Sequence, residues 1–84
     1  MLESFLKRVQ DIEDIAKNKQ GIKQVYAINA GREIRVIANA KLINDDEAVL
    51  LAKEIAQEIE SKVQYPGEIK VNVIRELRAV DFAR

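Results

Sequence analysis

The chain has 84 residues, a formal net charge of zero, and 48% apolar against 33% charged side chains. This is the composition of one small globular domain and not of a disordered segment, and a core of this size buries only about 60% of the surface the unfolded chain exposes. With no Cys and no His, the sequence has no disulfide, no thiolate or imidazole metal ligand and no imidazole for acid–base catalysis. Charge is unevenly placed: residues 21–43 carry net +3 and residues 44–65 net −4. No apolar run is long enough to cross a membrane, and the first residues lack the pattern of a signal peptide.

Leu2, Phe5, Leu6, Val9, Ile12 and Ala16 recur at helical spacing and predict a helix over residues 2–18, with Glu3/Lys7 and Glu13/Lys17 as i,i+4 pairs and Gly21 as its stop. Val25–Ile28 and Ile34–Ile37 read as strands, placed at 23–29 and 33–39, joined by a hairpin in which Gly31 takes positive φ. Asn44 opens a second helix, 44–63. Its side chain and Glu47 form a capping box, and Asp45, Asp46 and Glu47 sit at the positive end of the helix dipole. The expected buried stripe is Ala48, Leu51, Ala52, Ile55 and Ile59, flanked by Val49, Ala56 and Val63. Tyr65-Pro66-Gly67-Glu68 fits a type II turn, and alternation from Ile69 to Ile74 predicts a third strand. The tail, Leu77 to Phe82, remains apolar with no turn residue before it, so it either continues that strand or forms a fourth.

The fold class is therefore α+β, a small two-layer α/β sandwich of order α-β-β-α-β(-β), related to a ferredoxin-like fold with its first strand missing. The tail either fills the empty slot or pairs with the sheet of a second copy, which makes a homodimer. Leu77, Val80 and Phe82 are the candidate self-association residues.

Three groups of residues invite a chemical reading. Asp45-Asp46-Glu47 offers carboxylates for a metal, but helix capping accounts for all three. One Gly at position 31 is no phosphate loop. Arg32, Arg35, Lys70, Arg75 and Arg78 are candidates either for RNA or partner contact or for an ion-pair network. Arg75 falls in phase with Val71 and Val73 and so needs a carboxylate from Glu33, Glu76 or another chain. Tyr26 and Phe82 could stack on bases or belong to the core. No residue qualifies as catalytic, metal-binding or cofactor-binding.

The blocks Ala30-Gly31-Arg32-Glu33-Ile34-Arg35-Val36, Asp45-Asp46-Glu47-Ala48, Tyr65-Pro66-Gly67-Glu68-Ile69-Lys70-Val71 and Val73-Ile74-Arg75-Glu76, closing with Arg78-Ala79-Val80, together resemble the C-terminal end of the ribonuclease Y family. Departures are mild, among them Asn29 and Glu68 where the family tends to have Gln. The resemblance implies a larger parent, a bacterial endoribonuclease that initiates mRNA decay, with a membrane anchor, a coiled coil, a KH domain and a metal-dependent HD domain upstream. It implies that residues 1–84 are one cytoplasmic domain of that membrane-anchored parent, with Met1 an added start and Arg84 the natural end. The divalent metal belongs to the HD domain, and this chain has no cofactor of its own. The partners implied are a second copy, the rest of the parent nuclease and RNA, with no membrane contact. Three functions follow as expectations: a non-catalytic domain for self-association, a surface that guides RNA to the HD domain, or a small-molecule-sensing regulatory domain.

Overall fold

The computed structural model describes the backbone of residues 2–84 and the side chains from Phe5 onward. The elements run α1 (Leu2–Lys17), β1 (Ile22–Ile28), β2 (Glu33–Asn39), α2 (Asp45–Lys62) and β3 (Lys70–Glu76). The order α-β-β-α-β is as expected. The fourth strand is not formed, and residues 77–84 lie in no regular element. The sheet order is β1-β2-β3, with β1 antiparallel and β3 parallel to β2. In the parent topology the missing strand would separate β2 from β3. Here the two close up and pair directly, Ile34 opposite Val71 and Val36 opposite Val73, so no slot is left for the tail to fill.

One face of the sheet is the core. Val25, Ile34 and Val36 are buried against Ile12, Ile15 and Ala16 of α1 and Leu51, Ile55 and Ile59 of α2, and Ala38 is buried farther along β2. Strand alternation puts these residues on one side. A bulge at Lys23 shifts the register between Ile22 and Gln24, which moves Ile22 to the core side, where it packs partly buried. Of the expected α2 stripe, Leu51, Ile55 and Ile59 are buried and Ala48 and Ala52 half-buried, whereas the flanking Val49 is 73% exposed.

Asn44 caps α2 as its spacing requires. Its side chain accepts from Glu47 N at 2.8 Å, and Glu47 Oε1 accepts from Asn44 N at 2.9 Å. The β1–β2 turn is tighter than a single glycine suggests. Asn29 (φ 52°), Ala30 (φ 57°) and Gly31 (φ 81°) are all left-handed, and Gly31 N donates to Ile28 O at 3.1 Å. Two consecutive positive φ values at Asn29 and Ala30 are those of a type I′ turn, whose twist suits a hairpin. Gly67 has φ 77°, as its turn position demands.

Candidate functional site

The five basic candidates do not gather into one patch. Arg75, in phase with the core residues of β3, sits beyond the core's end. Its Nε donates to Ile43 O at 2.7 Å, its Nη2 to Ala40 O at 3.3 Å, and its Nη1 to Asp45 Oδ1. Its carboxylate partner is thus Asp45, not Glu33 or Glu76. The guanidinium ties the loop before α2 to the end of β3, and it is committed there. Arg78 pairs with Glu76 at 2.7 Å, and Lys23 reaches the same carboxylate at 2.7 Å. Those two cations hold the Glu76 carboxyl below the ordinary glutamate range.

Arg35 lies on the sheet face the helices leave bare. Its Nη2 donates to Glu33 Oε2 at 3.4 Å. Glu33 is only 7% exposed, although it is on that open face. Asn29 Nδ2 (3.3 Å) and Asn72 Nδ2 (3.4 Å) donate to the same carboxylate, so three donors surround it. Arg35 Nε is buried with no partner among the described residues. Tyr26, opposite Arg35, is exposed, and its hydroxyl donates to Gln24 Oε1 at 2.6 Å. This face is polar, with Ile28, Ile37 and Ile74 its aliphatic members.

The Glu13–Lys17 pair does not form. Glu13 instead accepts from Ala27 N at 3.3 Å, satisfying an outward amide of the edge strand β1. The Glu3–Lys7 pair falls outside the described side chains, and Lys7 pairs with Asp11 at 3.5 Å. Asp45, Asp46 and Glu47 serve α2 and the Arg75 contact. Among the described residues no group of three acidic, His or Cys side chains could hold a metal.

Arg32 and Lys70 mark the end of the sheet where β3 begins; Lys70 N donates to Arg32 O at 2.8 Å. Arg32 also borders a cleft of about 740 Å³. Its walls are Phe5, Val9 and Ile12 of α1, the Ala30-Gly31 turn, and Tyr65 to Ile69, with Arg8 as a second guanidinium. No sequence motif announces this cleft, because its residues come from three separate segments. The one usable signal was that Phe5, Val9 and Ile12 share a face of α1.

Leu77, Val80 and Phe82 stand 68%, 76% and 74% exposed. The radius of gyration, 14.4 Å, exceeds the roughly 12 Å expected of a compact chain of this length. The long extent of 53 Å against 30 Å and 18 Å fits a tail standing off the body.

No family model matches the chain. Curated relatives do. Ribonuclease Y of Campylobacter concisus is 87% identical over all 84 residues, that of Campylobacter curvus 82%, and that of Campylobacter jejuni 77%. The chain belongs to the ribonuclease Y family. It spans 16% of the length of these relatives. In this ribonuclease Y segment the blocks that carried the resemblance become the hairpin turn with β2, the α2 cap, the 65–69 turn with β3, and the root of the tail. Among the described residues no helix is long and apolar enough to cross a membrane.

Proposed function

We propose that this chain is the C-terminal, non-catalytic domain of a ribonuclease Y, and that it joins subunits of the nuclease to one another. The observation that carries the reading is the tail: Leu77, Val80 and Phe82 are each more than two-thirds exposed to water. Next to them β3 pairs with β2 alone among the described residues, so its outer edge is open to pairing. Burying three such side chains contributes on the order of 5 kcal/mol, and two tails in a pair about twice that. At the low end of an association cost of roughly 4–15 kcal/mol, about 6 kcal/mol remains, which corresponds to self-association at tens of micromolar.

The metal implied for the parent's HD domain does not fit here. The chain has no His or Cys, so no step of RNA cleavage is assigned to its residues. Cutting belongs to the upstream HD domain, and this segment contributes contacts. Arg35, Arg75 and Arg78 are each engaged with a carboxylate, which leaves the RNA-guiding reading only Arg32 and Lys70 from its original five.

Sedimentation of the purified chain tests the reading. A dimer is expected at tens of micromolar, with Leu77→Ser, Val80→Ser and Phe82→Ser together giving a monomer of unchanged circular dichroism. A chain that stays monomeric throughout that range overturns it.

A further inference from the structure

The tail and the cleft lie at opposite ends of one sheet and have complementary chemistry. The cleft opens where β3 begins, beside Arg32, with an apolar wall of Phe5, Val9 and Ile12 and two guanidiniums, Arg8 and Arg32, against one carboxylate, Glu68, so that its balance of charge is positive. Neither guanidinium pairs with a carboxylate among the described residues. The tail leaves the far end of β3, where Ala40 N donates to Glu76 O at 3.0 Å. It carries Val80-Asp81-Phe82, an apolar residue, an acid and an aromatic, all exposed.

A copy cannot fill its own cleft. The seven residues of β3 separate cleft from tail by roughly 20 Å at about 3.3 Å per residue. Asp81 lies five residues past Glu76, a reach of about 18 Å at full extension, before any residue is spent on reversing direction. Residues 77–84 contain no Gly, Pro or Asn with which to turn.

We propose that Asp81 and Phe82 of one copy dock in the cleft of a second, the carboxylate against Arg8 and Arg32 and the ring against Phe5, Val9 and Ile12. Two-fold exchange of tails closes the pair, each copy giving one tail and receiving one. This rests on the self-association reading and names its surface.

Charge exchange tests it. Asp81→Arg alone, and Arg8→Glu with Arg32→Glu, should each weaken the dimer at least about tenfold in sedimentation, because both of its contacts then oppose like charges. An equimolar mixture of the two variants should recover dimers. In a mixed pair one contact has its charges swapped and the other is native. Two monomeric variants whose mixture stays monomeric overturn the proposal. If both variants dimerise like the native chain, the cleft is not the surface, while self-association stands on another. A monomeric native chain removes both readings. A fluorescent oligouridylate whose binding is lost in the Arg8→Glu, Arg32→Glu variant while the dimer persists assigns the cleft to RNA and also overturns the proposal.

Discussion

Arg75 on β3 and Asp45 in the first turn of α2 are bound to each other, and the same guanidinium holds the carbonyls of Ile43 and Ala40. One side chain thus fixes the crossover between two parallel strands at the point where it enters α2. Replacing Arg75 by Met removes three donors and leaves the loop carbonyls to water. We expect a loss of about 1–3 kcal/mol in urea unfolding, with Arg75→Lys recovering only part, since an ammonium cannot fork to three acceptors.

Ala30 holds a left-handed conformation that favours glycine, at φ 57°. Ala30→Gly relieves it at a turn position where the extra freedom of the unfolded chain is the only cost. Thermal unfolding should show a gain of roughly 0.5–1 kcal/mol, on the order of a few degrees in Tm. A lower Tm would mean that the Ala30 methyl contributes packing beyond the turn.

Ile55 is fully buried between α2 and the sheet. Ile55→Ala should cost about 2–5 kcal/mol. A domain of this size has a total stability of roughly 4–12 kcal/mol, so the variant should unfold at much lower urea and show early loss of cooperativity. Val49→Ala on the exposed side of the same helix should change stability by less than about 0.5 kcal/mol.

Glu58 accepts from Lys19 at 2.6 Å and from Lys62 at 3.0 Å, and these bonds hold its carboxyl below the usual glutamate range. Glu76 is lowered in the same direction by Lys23 and Arg78. A carboxyl depressed in the folded state stabilises it above the unfolded pKa, near 4.5, and that contribution is lost as pH falls through the lower folded value. Stability measured by urea unfolding from pH 7 to pH 3 should therefore be level down to about pH 5 and decline below it. Lys19→Met should flatten part of that decline.

The elements were legible because local chemistry decides them. Asn44 with Glu47 marked the start of α2, and Pro66-Gly67 marked the turn into β3. Ile34, Val36 and Ala38 showed the core face of β2 by alternation. What sequence did not show depended on tertiary neighbours. Glu13 and Ala27 meet only once α1 lies along β1. Arg75 found Asp45 because the α2 N-terminus comes to the end of β3, a relation set by the parallel pairing of β2 with β3. The tail misled for a different reason. Its apolar alternation predicts a strand, but a strand needs a free neighbour, and direct β2–β3 pairing took the place it would have filled. The five basic residues shared a sign and a neighbourhood in sequence, yet carboxylates at Glu33, Asp45 and Glu76 drew three of them apart.

Glu33, sunk into the bare face beneath Asn29, Arg35 and Asn72, works as a lock on strand slippage. Sliding β2 by one residue would thrust its carboxylate and the Arg35 guanidinium among Ile12 and Ile55 while expelling Ile34 and Val36 into solvent. Such a misaligned sheet is prohibitive, so molecules that trade segments during assembly must do so around an unshifted central strand.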